Sequence, residues 1–224
     1  MIHILNNIHM YNADWCFEDF KRIIKSEYKI TIIALAFQET KIPNAEIWDR
    51  FYGAADGIYY QGFVNVFKDF GISADQLEIV DYYRDTHESA MAKIEKADIL
   101  YFLGGLPDVM LARLEEMDLV AAIRKHNGIV IGYSAGALIQ LDEYHLSPDE
   151  DYEEFGYYSG LGFLHDFYVE VHYEGSDIQK ESIQRVLCER RKPVYAVAND
   201  GALIVDNDGV RMIGNVTLFE VNND

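Results

Sequence analysis

The sequence predicts an α/β fold in which a mostly parallel sheet carries helices on both faces. Two observations point there. Over residues 1–141, short apolar runs rich in β-branched residues alternate with segments of helical periodicity, the pattern of successive strand–helix–strand units. Residues 128–141, Gly-Ile-Val-Ile-Gly-Tyr-Ser-Ala-Gly-Ala-Leu-Ile-Gln-Leu, then join a buried strand directly to a helix. Gly132-Tyr133-Ser134-Ala135-Gly136 fills the junction with the Gly-x-Ser-x-Gly spacing of a nucleophile elbow. Small residues two places either side of the serine let strand and helix backbones approach. The serine also arrives at a helix N-terminus, whose free N–H groups favour a developing oxyanion. A glycine-rich turn without chemistry has the same spacing, so the reading depends on whether partner groups exist.

In chain order, residues 3–6 form a first short strand. Trp15, Phe17, Phe20, Ile23 and Ile24 recur at helical spacing behind an Asn12 or Asp14 cap. Residues 29–37 are apolar on both faces, as in a buried parallel strand. Ile47, Phe51, Ala54, Ala55, Ile58, Tyr59, Val66, Phe67 and Phe70 predict a long helix over 44–70, weakened by Gly53, Gly57 and Gly62 and capped by Gly71. Residues 77–83 give a third strand, Thr86 caps a helix to 97, and 98–103 give a fourth strand. Gly104-Gly105-Leu106-Pro107-Asp108 closes that strand and opens a helix to residue 126. Residues 142–160, acidic and turn-rich, read as a solvated loop placed where a lid would lie. Over 167–173, Phe167, Val169, Val171 and Tyr173 share one strand face, and Tyr168, Glu170 and His172 the other. Ser176 and Gln179 match a capping box for a helix to 191. Residues 193–198 form another strand. Residues 202–205 and 210–213 flank Asn207-Asp208-Gly209 as a hairpin, with a last strand over 217–221. No repeat or linker interrupts the chain, so one domain over residues 1–224 is expected.

Half of the 224 residues are hydrophobic, enough for a domain that buries roughly 70–75% of its extended surface. The formal charge of −19 argues against nucleic acid and anionic membrane as partners. There is no apolar run of about 18 residues and no basic, apolar leader, so neither a membrane span nor a signal peptide is expected. Cys16 and Cys188 fit a reducing cytoplasm and are expected as small core residues. No calcium or zinc ligand spacing appears, and no metal is expected.

A nucleophilic serine needs a base, usually histidine, held by a carboxylate. His3, His126 and His165 precede strands and fall at the amino edge, away from Ser134. His9, His87, His145 and His172 remain. His172 ends a strand, where an imidazole is held better than on a loop. For the carboxylate, Asp149 lies between serine and histidine in the chain, the α/β-hydrolase order. Asp200 follows the strand at 193–198 and is preferred, since Asp149 sits in the acidic loop.

Together, Gly104-Gly105, Gly132-Tyr133-Ser134-Ala135-Gly136-Ala137, the strand ending at His172 and Ala198-Asn199-Asp200-Gly201 resemble the dipeptidase E and cyanophycinase family of serine peptidases. The similarity is clearest from residue 104 to 205. It implies a fold like that of class I glutamine amidotransferases, with serine in place of their elbow cysteine. By position it implies Ser134 as nucleophile, His172 as base, and Asp200 where the family usually has glutamate. It further implies the backbone N–H groups of Gly105 and Ala135 as the oxyanion hole, no metal or organic cofactor, and a small peptide, foremost an aspartyl dipeptide, as substrate. Arg84, Arg113, Lys180 and Arg185 are the candidate cations for an acidic substrate. Leu106, where relatives usually carry Asn or Asp, and Glu170-Val171, where aspartyl dipeptidases have Asn-Pro, depart from the pattern, and Asp200 is one methylene shorter than glutamate.

Other functions stay open at this level. An esterase or amidase would keep the same triad with a different pocket, and a non-catalytic binding protein would keep only the fold. A homodimer through an exposed apolar strand or helix face is likewise open.

Overall fold

The computed structural model describes residues 1–54 and 56–221; Ala55, part of the expected 44–70 helix, lies outside the described residues. The chain runs through β1 (Ile2–Asn6), α1 (Phe17–Lys21), β2 (Ile30–Ile33), α2 (Ala45–Tyr52), α3 (Ile58–Lys68), β3 (Leu77–Val80), α4 (His87–Lys96) and β4 (Ile99–Phe102). It continues through α5 (Pro107–Glu116), α6 (Val120–Lys125), β5 (Ile129–Tyr133), α7 (Ala135–Leu138), β6 (Glu143–Leu146) and β7 (Gly156–Ser159). It ends with β8 (Tyr168–Glu170), α8 (Asp177–Arg190), β9 (Val194–Asp206) and β10 (Gly209–Phe219).

The main sheet has the order β10-β9-β1-β5-β4-β2-β3. The five strands from β1 to β3 are parallel, and β9 and β10 close one side as antiparallel neighbours. Alternation along the buried strands splits the core in two. Ile99 and Tyr101 of β4 pack with Phe20 of α1, Trp48 of α2 and Phe63 and Phe67 of α3. Leu100 and Phe102 pack on the other face with Ile94 of α4, Met110 and Leu114 of α5 and Ile123 of α6. Each fully buried side chain of this size contributes roughly 1.5–3 kcal/mol. The predicted α/β class, a mostly parallel sheet with helices on both faces, is therefore what forms.

Several expected elements differ. The 44–70 helix is two: α2 ends at Gly53, where ψ turns to 133°, and α3 begins after Gly57. The 104–126 helix is broken by Asp118, which takes φ 56° between α5 and α6. The acidic loop at 142–160 contains an antiparallel hairpin, β6 with β7, pinned by stacking of Tyr144 on Tyr158. Its carboxylates obscure an alternating strand at Glu143–Leu146. At the C-terminus, the four expected strand pieces, 193–198, 202–205, 210–213 and 217–221, are two long strands, β9 and β10. α1 starts after Cys16 with no side-chain cap, so neither Asn12 nor Asp14 caps it. Cys16 is buried, whereas Cys188 is exposed on α8.

Among the described residues, no helix is long and apolar enough to cross a membrane.

β8 sets up the site. It pairs in parallel with the first residues of β9, Tyr168 opposite Val194 and Glu170 opposite Ala196. β1 pairs antiparallel with the last residues of β9, Asn6 opposite Ala202. β8 and β1 therefore lie on the same edge of β9, run towards each other, and leave their carboxyl ends facing across residues 197–201.

Candidate active site

β5 reaches the carboxyl edge at Tyr133, and the chain reverses at Ser134 with φ 51° and ψ −118°. This backbone costs an L residue about 1–3 kcal/mol and persists only where packing enforces it. The flanking glycines supply that packing. A Cβ at Gly132 would stand 1.9 Å from the Gly136 carbonyl oxygen, and one at Gly136 would stand 2.0 Å from that of Phe102. The Ser134 N–H donates to the Asn6 carbonyl at 2.9 Å, tying the elbow to the end of β1.

The Gly104-Gly105 turn after β4 lies against this elbow; a Cβ at Gly104 would be 3.3 Å from that of Ser134. Among the described residues, the N–H groups of Gly105 and Ala135 donate to no backbone carbonyl. Two unspent donors beside a serine hydroxyl suit a developing oxyanion.

His172 lies two residues past β8 and takes φ 51°. Its Nε2 accepts a hydrogen bond from the Ser134 hydroxyl at 2.9 Å. Its Nδ1–H donates to Asn199 Oδ1 at 2.8 Å. An amide oxygen only accepts, so this contact fixes the proton on Nδ1 and leaves Nε2 free to receive the serine proton. Neighbouring groups hold the ring in place. The Tyr173 N–H donates to Val197 O at 2.9 Å, and Gln179 Nε2, in the first turn of α8, donates to the His172 carbonyl at 3.0 Å. The Asn7 side-chain amide donates to the carbonyls of Val197 and Ala198.

The structure thus brings Ser134 and His172 together but puts Asn199, not Asp200, on the far ring nitrogen. The reason lies in β9. Val197 pairs with Val216 and Gly201 with Gly214, leaving Ala198, Asn199 and Asp200 opposite the single residue Asn215. Such a bulge breaks the two-residue alternation, so spacing along the strand does not say which neighbour faces the ring. Asp200 is exposed and makes no hydrogen bond to His172. Asp149 is spent on its own turn, where its Oδ1 accepts the N–H groups of Asp151 and Tyr152, each at 2.8 Å. Sequence reasoning missed Asn199, Asn7 and the clamp role of Gln179. The capping-box signal at Ser176 and Gln179 was the available hint: Gln179 Oε1 accepts from the Glu174 N–H rather than closing the box.

Other candidates have different work. His145 Nε2 and the carboxylate of Glu170 form a buried 2.6 Å pair, and the Ser147 hydroxyl donates to the same carboxylate. Glu170, a departure from the family pattern, is therefore engaged in this pair. The four candidate cations are also committed: Arg84 to Asp49 and Asp81, Lys180 to Asp177, and Arg185 to Glu189. Arg113 is buried, donates to the carbonyls of Leu35 and Phe37, and lies 3.7 Å over the Phe37 ring.

Two cavities border residues next to the Ser134–His172 pair. One, of about 400 Å³, is lined by Gly104, Gly105, Tyr133 and aromatic residues of α2 and α3. The other, of about 240 Å³, is lined by His172, Glu170, Glu174 and Gln179. A larger cavity of about 690 Å³ lies between α4 and α6 at the amino ends of β4 and β5, the edge opposite Ser134.

No curated protein matches the chain. Among solved structures, a candidate peptidase E from Listeria monocytogenes EGD-e superposes with a TM-score of 0.66 at 17% identity, covering 96% of this chain and 98% of that one. A peptidase from an acI-B1 Actinobacterium superposes with a TM-score of 0.65 at 16% identity, covering 99% of this chain and 91% of that one. At these identities the superpositions show a shared fold. The model of peptidase family S51 matches residues 42–213, a stretch that holds the elbow, the histidine after β8 and the bulge of β9. The chain therefore belongs to peptidase family S51 and is a serine-type peptidase, a hydrolase.

Proposed function

We propose that the protein hydrolyses small peptides through an acyl-enzyme, with Ser134 as nucleophile and His172 as general base. The observation that carries this reading is the 2.9 Å hydrogen bond from the Ser134 hydroxyl to His172 Nε2, with Nδ1 held by Asn199. Ser134 Oγ attacks the peptide carbonyl while Nε2 takes its proton. The carbonyl oxygen becomes an oxyanion received by the N–H groups of Gly105 and Ala135. The imidazolium then protonates the leaving amine, the amine departs, and an ester to Ser134 remains. A water gives its proton to Nε2 and attacks that ester, which releases the acid and restores the serine. Asn199 orients the ring and selects its tautomer; being neutral, it adds no countercharge to the imidazolium. Two cavities of a few hundred cubic ångströms at most, one lined by Gly105 and the other by His172, suit a short substrate.

Ser134→Ala tests the mechanism. Peptide turnover should fall by several orders of magnitude, and fluorophosphonate should label the wild-type chain at Ser134 but not the variant. A variant with ordinary turnover would sink the assignment of the nucleophile.

A further inference from the structure

The cavity beside the Gly104-Gly105 turn is built for an apolar guest. Phe51, Tyr52, Tyr59 and Phe63 of α2 and α3, Phe37 after β2, and Tyr133 of the elbow strand all line it. Of the cations considered for an acidic substrate, Arg84, Arg113, Lys180 and Arg185, none lines it. Its lining holds one lysine, Lys41, exposed and sharing the cavity with the exposed carboxylate of Asp151, and one histidine, His9, whose partial burial disfavours the charged ring. At its mouth Ile58 is 67% exposed and Tyr59 46%, two of the few large apolar side chains left open to water.

Gly62 supplies an independent observation. It is the fifth residue of α3, where glycine is the poorest choice short of proline. Its backbone does not require it: no positive φ occurs there, and an added Cβ would meet only His9 Nε2, at 4.0 Å. What the missing side chain leaves empty is the cavity that Gly62 lines. The elbow glycines differ, since packing demands them.

Position decides which part of a substrate the cavity receives. The leaving amine must lie on the His172 side to be protonated, and that side opens on the other cavity. The cavity at Gly105, on the oxyanion side, faces the acyl half of the substrate. Resting on the serine peptidase mechanism above, we propose that this cavity holds the side chain of the residue giving the scissile carbonyl, and selects an aromatic or bulky aliphatic side chain over an acidic one. An aspartyl side chain there would leave its carboxylate among rings with only one exposed ammonium group near, in a protein of formal charge −19. A phenyl or isobutyl group would displace water from rings and cover Tyr59 and Ile58.

The test uses the full chain and a dipeptide series Xaa-Leu with Xaa as Phe, Leu, Ala and Asp. Wild-type kcat/KM for Phe-Leu should exceed that for Asp-Leu at least tenfold, and calorimetric Kd values on the Ser134→Ala protein should follow the same order. Gly62→Leu, which fills the cavity with a good helix former, should lower the Phe-to-Ala ratio at least tenfold, while a thermal midpoint at or above wild type shows that it folds. Equal or better use of Asp-Leu, or an unchanged ratio in Gly62→Leu, overturns the proposal. The binding arm separates the two ideas. If Ser134 neither labels nor turns over any dipeptide, the peptidase mechanism fails, yet the Kd order still decides the cavity: tighter Phe-Leu supports it, and equal or absent binding rejects it.

Discussion

Asn199 is the residue on which the site most departs from a charged triad. Its amide oxygen can hold the His172 ring and its tautomer, but it cannot offset the charge that the proposed attack would put on the ring. Asn199→Ala should therefore cut kcat/KM by about 10- to 100-fold through loss of ring position, whereas Asp200→Asn should leave it within about twofold. Steady-state kinetics on both variants check this, and the opposite ranking would return the role to Asp200. Adjacent residues with side chains of nearly equal size were indistinguishable in sequence because a bulge, which has no strong signature, sets the phase of β9 there. Ser134 and His172 were legible, because each carries its own signal: an elbow motif, and a histidine ending an alternating segment. The φ of 51° at His172, by contrast, could be seen only in the folded chain.

At the scale of elements, the elbow is a strand and a short helix pressed together until only hydrogen fits between them. Gly136→Ala would drive a methyl to 2.0 Å from the Phe102 carbonyl oxygen. The expected outcome is a loss of about 1–3 kcal/mol of stability, the usual cost of overpacking, together with lowered activity as Ser134 shifts. Urea unfolding measures the first and turnover the second; a variant as stable as wild type would mean that β4 and α7 yield more easily than this packing implies. The same scale explains where helix prediction failed. Gly53 and Gly57 were noted as weak points in a long helix, and the chain does break there, because α2 and α3 pack different residues into one aromatic cluster. Asp118 gave no comparable warning. The hairpin of β6 and β7 was hidden because carboxylates were read as solvent-facing, while Tyr144 and His145 beside them are buried.

For the whole molecule, the buried end of β1 links folding to pH. His3 is 5% exposed, and its Nδ1 lies 2.9 Å from Gln140 Oε1. Burial, only partly offset by that hydrogen bond, brings its pKa down from 6.5 to about 4. The neutral ring is what the folded state accepts, so between pH 6.5 and 4 the unfolded chain binds more protons and stability falls as pH falls. The contribution is fully present above the unfolded value and amounts to roughly 2 kcal/mol lost between pH 7 and pH 5. His3→Gln should show a smaller drop in unfolding free energy over that interval, and equal drops in the two proteins would refute the assignment. Burial lowers the pKa of His126 at the same edge in the same direction.

Some properties of this protein follow from local sequence alone. Apolar runs with β-branched residues cannot stay in water, and their alternation with helical segments leaves a covered parallel sheet as the economical way to bury them. Gly132 and Gly136 around Ser134 announce a tight reversal, because few other turns need both. What tertiary structure decided is which distant groups meet. β8 approaches β1 head-on along one edge of β9, so His172 lands on Ser134 from a strand running against the parallel set. The bulge turns Asn199 to the ring, and the gap at Gly62 keeps the aromatic cavity open. These depend on contacts between residues far apart in the chain, which periodicity and propensity, being local, do not encode.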